Sequence, residues 1–150
     1  RFHRMNLSKA FPSLATPLST SQVIGLYFAS SWCPDCTPIT PKLRMMYEGQ
    51  SSDKKLEVVY VSSDNTEEQM KNSLSASHGQ WSCIPFDSAE RSELKRKFGV
   101  CAGKEVRELG MSPSDRKFGI PTLILIDSKS EEILTYDGVN DLLNDDFIQK

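Results

Sequence analysis

The sequence predicts an α/β domain with a central mixed β-sheet flanked by helices, and three observations predict it. Val23–Ala29 is a nearly continuous apolar run, the pattern of a central strand buried on both faces. Leu56–Ser62 reads as a second strand, and each of the two is followed by a segment with helix punctuation. Pro121–Asp127 and Glu132–Tyr136 flank the polar turn Ser128-Lys129-Ser130, as in a hairpin. Strand–helix–strand–helix followed by a hairpin and a last helix is an α/β order.

The elements follow in order. Residues 6–20 are punctuated by Pro12 and Pro17 and are expected to carry a short edge strand at best. A helix is expected from about Pro34 to Tyr47. Pro34 and Pro38 fall where its first turns tolerate proline, but Pro41 falls inside it and should bend it. Leu43, Met46 and Tyr47 then form its core-facing stripe. Thr66 and Gln69 can form a capping box for a helix of about two to three turns. Trp81–Phe86 is a short apolar segment, Ser88 can cap a helix running to Phe98, and Gly99 stops it. Asn140 starts a final polar helix. Arg96-Lys97-Phe98-Gly99-Val100 recurs as Arg116-Lys117-Phe118-Gly119-Ile120, a single echo that makes no solenoid repeat.

The 150 residues suffice for one domain with a real core and need no disulfide scaffold. A net charge of -2 gives no argument for nucleic acid or an anionic membrane as partner. No apolar run approaches the length of a membrane span. Four cysteines, two of them in one CxxC, suit redox chemistry in a reducing compartment more than a secreted framework. The expected location is therefore cytoplasmic, with mitochondrial or nuclear placement left open. The segment from Arg1 to Pro34 has no acidic residue and carries Arg1, Arg4 and Lys9, as a trimmed transit peptide would. The simpler alternative is a fragment start, with Met5 the natural first residue.

The chemistry is concentrated in Trp32-Cys33-Pro34-Asp35-Cys36. A strand delivers two cysteines, three positions apart, to a sheet edge. A helix N-terminus beside Cys33 favours its thiolate, so Cys33 is the candidate nucleophile. Cys36, one turn on, is the candidate resolving thiol, more buried and harder to ionise. Asp35 suits the helix dipole but lies beside the developing thiolate, and it is expected to disfavour that thiolate. The alternative of half a zinc site would need His78, Cys83 or Cys101, but no second close-spaced pair exists, so no metal is expected. Cys83 sits in an apolar run as a plain core residue, Cys101 reads as inert rather than regulatory, and neither His3 nor His78 lies near a nucleophile signature.

From about Ser21 to Asp145 the chain resembles the thioredoxin-like superfamily, within it the tryparedoxin and nucleoredoxin branch. Leu26 to Cys36 is similar to that branch's strand and redox motif, and Pro41 falls where thioredoxins have their helix-kinking proline. Trp81-Ser82-Cys83-Ile84-Pro85-Phe86 is similar to the branch's aromatic segment. Ile120-Pro121-Thr122 is similar to the loop whose proline is cis and lies against the redox cysteines. The resemblance implies a thioredoxin-like fold and a thiol–disulfide oxidoreductase with Cys33 and Cys36 catalytic. It further implies that Trp32, Pro34, Asp35, Ile120, Pro121 and Thr122 support the site or bind substrate.

The chain also departs from the branch. Tyr27 stands where thioredoxins proper carry a buried acid, as in tryparedoxins, so the proton acceptor for Cys36 is unassigned. Pro34-Asp35 replaces the usual Pro-Pro and is known instead from small thioredoxin-related proteins. An insertion of residues 101–118 precedes the cis-proline loop. It is either a partner-selecting cover at the redox rim or a plain surface loop, which closure entropy tolerates cheaply. The domain division expected is a partly ordered extension over 1–20 and a thioredoxin-like domain over 21–150.

The leading function is the reduction of protein disulfides, extending to support of peroxide detoxification. The alternative is a redox-regulated protein-binding module of nucleoredoxin type with little turnover. The expected partners are disulfide-containing proteins, peroxiredoxins among them, and an upstream dithiol or reductase that donates electrons. No bound cofactor, nucleic acid or membrane is expected, and the chain is expected to be a monomer.

Overall fold

The structure is a computed structural model that describes residues 5–51 and 55–144. The basic residues Arg1 and Arg4, together with His3 and the chain end from 145 on, lie outside the described residues. Five strands form one mixed sheet: β1 Val23–Ala29, β2 Leu56–Ser62, β3 Ser82–Cys83, β4 Thr122–Asp127 and β5 Ile133–Thr135. Their order across the sheet is β3-β2-β1-β4-β5. β1 runs parallel to β2 and antiparallel to β4, with Ala29 opposite Ser62 and Phe28 opposite Thr122. β3 is parallel to β2, and β4–β5 is the expected antiparallel hairpin.

The sheet has a packed core on each face. Tyr27 and Ala29 of β1, Val58 and Tyr60 of β2, and Leu123 and Leu125 of β4 face one way. Ile39, Leu43 and Tyr47 of α3 (Ile39–Glu48), Met70 of α4 (Glu67–Ser77) and Leu142 of α6 (Gly138–Leu143) cover them. The alternate residues Ile24, Leu26, Phe28, Val59, Val61, Ile124 and Ile126 face the other way. They meet Leu94 and Phe98 of α5 (Ala89–Phe98) and, from the N-terminal segment, Leu7, Phe11 and Leu14. Both faces being covered explains why β1 reads as a continuous apolar run.

The N-terminal segment is where the edge-strand expectation fails. Residues 7–10 form α1 and residues 15–20 form α2, with a 3₁₀ turn at Pro12–Leu14 between them. Pro12 opens that turn and Pro17 is the third residue of α2, positions where a missing N–H costs no helical bond. Leu7, Phe11 and Leu14 are spaced to line one helical face, and all three are buried. The segment is tied down at both ends. The Leu7 N–H donates to Glu131 in the β4–β5 turn at 2.8 Å. Ser13 donates through its N–H and its hydroxyl to the two oxygens of Glu90 at the start of α5.

The other helices start and stop for local reasons. Thr66 accepts the Gln69 N–H as expected, while the Gln69 side chain accepts from Asn65 rather than from Thr66 itself. Ser88 accepts the Glu90 N–H, and Gly99 ends α5 at φ 69°. The final helix starts at Gly138, two residues before Asn140, and Gly138 packs against Leu123 where a Cβ would meet its carbonyl oxygen at 2.8 Å.

The insertion closes at a neck. Val100 and Phe118 form an isolated parallel bridge, and the Gly99 carbonyl accepts the N–H groups of Lys117 and Phe118. The two copies of the five-residue echo are therefore the two sides of that neck. Between them Gly103–Glu105 form a 3₁₀ turn, followed by further turns.

Candidate active site

β1 ends at Ala29, and residues 30–38 carry the cysteines across the sheet's edge to α3. The helix expected from Pro34 begins only at Ile39, and residues 34–38 are turns. Proline at 34, 38 and 41 removes three N–H donors within eight residues, so no continuous helical ladder can form earlier. Pro41 is the third residue of α3 and lies in its first turn, where it needs no bend. The Cys33 carbonyl accepts the Cys36 N–H at 3.1 Å, and the Cys36 carbonyl accepts the N–H groups of Ile39 and Thr40. Cys33 therefore sits in a turn preceding the helix rather than at the helix N-terminus itself.

Both thiols are free and both are buried, Cys33 at 5 % exposure and Cys36 at 1 %. Burial pushes the Cys36 thiol well above the usual range, a hydrogen bond with Cys33 pushes it further, and the N–H of Ser30 only partly offsets this. Cys36 accordingly holds its proton. The Cys33 sulfur lies 3.9 Å from the carbonyl oxygen of Ile120, within reach of a thiol S–H. The Ile120–Pro121 peptide bond is cis. Thr122 is buried at the start of β4 and donates to the Gly119 carbonyl at 2.5 Å. Pro34 and Asp35 are exposed, and Trp32 is 37 % exposed with its Nε1–H donated to the Ser63 carbonyl at 2.9 Å. The structure thus brings the redox segment and the Ile120-Pro121-Thr122 loop together at one end of the sheet.

Tyr27 is fully buried and burial raises its phenol strongly, so it is a neutral hydroxyl. Its OH shares a 2.6 Å hydrogen bond with Thr40, which in turn donates to the Cys36 carbonyl. This is a brace behind the thiols rather than a base.

Asp64 is a residue of the candidate site that sequence reasoning missed. It is buried, and its Oδ1 accepts both the N–H and the hydroxyl of Ser31 at 2.7 Å. Its Oδ2 accepts the hydroxyls of Tyr60 and Ser62 at 2.8 and 2.7 Å. One carboxylate thereby fixes the residues just before Cys33. The available signal was its position: Asp64 and Ser31 each lie two residues beyond paired ends of adjacent parallel strands.

Of the other cysteines, Cys101 is fully buried at the neck of the insertion and its thiol is raised by burial. Cys83 is half-buried, not a full core residue, and is pushed up to about 11 by burial. Trp81 is buried and donates to His78 Nδ1 at 3.2 Å. Among the described residues no group of three or more His, Cys, Asp or Glu is placed to hold a metal ion. Among the same residues no helix is long and apolar enough to cross a membrane. Beside the cis-proline loop a cavity of about 460 Å³ is bordered by Phe118 and Tyr136, whose rings stack with centroids 5.5 Å apart.

The geometry of paired thiols against a cis-proline loop has known counterparts. A family model described as thioredoxin-like matches residues 21–133. The chain belongs to the thioredoxin-like family. Nucleoredoxin from Bos taurus is 32% identical to this thioredoxin-like chain over 125 residues, covering 82% of the chain and 24% of the nucleoredoxin. The chain therefore spans about a quarter of that relative's length. Tryparedoxin from Trypanosoma brucei brucei is 34% identical over 105 residues, 63% of this chain and 72% of the tryparedoxin. Among solved structures, a thioredoxin from Wuchereria bancrofti superposes with a TM-score of 0.69 at 34% identity, covering 87% of this chain and 78% of its own. Tryparedoxin II from C. fasciculata gives 0.70 at 26% identity, covering 96% and 91%. Thiol–disulfide oxidoreduction is the chemistry these thioredoxin-like relatives support at the level of the family.

Proposed function

We propose that the chain reduces protein disulfides through Cys33 and Cys36. The observation that carries this reading is the placement of the Cys33 sulfur 3.9 Å from the Ile120 carbonyl oxygen, with Cys36 a free, buried thiol one turn on. The Cys33 thiolate attacks one sulfur of a target disulfide. A mixed disulfide forms, and the other target sulfur leaves as a thiolate that takes up the Cys36 proton. Cys36 then attacks the Cys33 sulfur, releasing the second target thiolate and leaving a Cys33–Cys36 disulfide. An external dithiol or a reductase returns the pair to the free thiols, and no bound cofactor takes part.

Trp32, Pro34 and Asp35 form one rim of the surface a target meets, and Ile120, Pro121 and Thr122 form the other. The targets are disulfide-containing proteins, with peroxiredoxins among them by likeness to the branch, which would place the chain in peroxide detoxification. It acts as a monomer, in the cytoplasm.

The test is trapping with Cys36→Ser, which should stall the mixed disulfide on Cys33. Covalent partners released by a reductant support the reading. If no adduct forms, and partners are instead captured equally well by Cys33→Ser, the chain is a redox-gated binding module of nucleoredoxin type.

A further inference from the structure

We propose that Lys104, carried by the insertion, is a positioning residue for Trp32 and thereby sets how a protein substrate seats beside Cys33. This rests on the reading of Cys33 and Cys36 as the redox pair.

The Lys104 ammonium lies over the Trp32 ring, 4.1 Å from its centroid. The same ammonium donates a hydrogen bond to Asn65 Oδ1. The other polar handle of the ring, Nε1–H, is donated to the Ser63 carbonyl at 2.9 Å. Trp32 is thus held from its face and from its edge, by groups attached to the short segment 63–65.

Lys104 is itself rigidly delivered. Its neighbour Glu105 is buried, and its carboxylate accepts the Ala102 N–H at 2.9 Å, the Ser63 hydroxyl at 2.6 Å and the Lys95 ammonium at 2.5 Å. Ala102 and Leu109 are buried on either side, and the neck between Gly99 and Phe118 closes the segment. The insertion therefore holds Ser63, just past the end of β2, through Glu105 and Trp32 through Lys104. A cation over an aromatic face attracts it electrostatically. Fixing Trp32 before a target arrives lowers the ordering cost of forming the complex. Small disulfides that touch only the sulfur gain nothing from that order.

The test compares the wild type, Lys104→Met, which keeps the aliphatic stem, and Lys104→Arg, which keeps the cation. Acrylamide quenching of tryptophan emission reports Trp32, because Trp81 is buried. Reduction of insulin reads a protein substrate, and reduction of 5,5′-dithiobis(2-nitrobenzoate) reads bare thiol reactivity. The expected result for Lys104→Met is stronger quenching, a KM for insulin raised by about two- to fivefold with kcat retained, and an unchanged rate with the small disulfide. Lys104→Arg restores both quenching and KM. Wild-type quenching or wild-type KM in Lys104→Met, or an equal loss with both substrates, overturns the proposal. A wild type that reduces neither substrate would sink the oxidoreductase reading instead. The quenching comparison would then decide alone whether Lys104 holds Trp32, with unchanged quenching overturning it.

Discussion

His78 is a neutral histidine locked among aromatic rings. Its own ring meets that of Tyr60 edge-on at 4.4 Å and that of Trp81 at 5.3 Å, and its Nδ1 accepts the Trp81 N–H. Burial lowers its pKa from 6.5 to about 4, against the weaker opposing pull of Asp64. Between those two values the unfolded chain binds a proton that the folded chain does not, so stability falls as pH falls through that window. The full effect is about 3 kcal/mol. His78→Gln can still accept the Trp81 N–H but cannot titrate. Urea unfolding of the wild type should weaken between pH 6.5 and 4, and its stability relative to His78→Gln should fall by the same amount over that range. A difference that stays constant with pH would show that His78 is not the titrating group. In the sequence His78 lies near no nucleophile signature, and nothing in the order of residues showed the box around it. That box is made by β1, β2 and the segment before β3 converging on one point.

At the scale of elements, the redox segment and the insertion show how proline and glycine act through their surroundings. Three prolines turn the expected start of α3 into a run of turns, which leaves Cys33 outside the helical ladder. Gly99 was legible as a helix stop, and it is one, but it is also the hinge post of the insertion. Its φ is 69°, and a Cβ there would stand 2.8 Å from the Asp115 carbonyl oxygen. Gly99→Ala therefore meets both backbone strain and a backbone clash. It is expected to cost about 1–2 kcal/mol and to open the neck. Chemical denaturation measures the first. Faster hydrogen exchange at the Lys117 and Phe118 amides measures the second, because both donate to the Gly99 carbonyl. Exchange as slow as in the wild type would contradict it.

At the scale of the molecule, the N-terminal segment belongs to the second core rather than lying outside it. Leu7, Phe11 and Leu14 pack with α5 against β1 and β4, and Leu14 is fully buried. Leu14→Ala should destabilise the whole domain by about 2–5 kcal/mol. The readout is a shift of the single unfolding transition, seen alike by far-ultraviolet circular dichroism and by tryptophan emission. A change within about 0.5 kcal/mol would mean that the segment is only a surface attachment.

The local signals of the chain determined the strand–helix order of the sheet, the hairpin, the helix stop at Gly99 and the nearness of Cys33 to Cys36, because each depends on residues close together in sequence. The helical spacing of Leu7, Phe11 and Leu14 was also present in the sequence, but Pro12 and Pro17 obscured it by resembling strand breakers. Only the tertiary structure decided the rest. Asp64 meets Ser31 because two parallel strands end side by side. Cys33 meets Ile120 because β4 runs antiparallel beside β1. Lys104 meets Trp32 because the buried Lys95–Glu105 pair draws the insertion back onto the end of β2. Such contacts join residues that are remote in sequence, and their energies exist only once the sheet has brought them together.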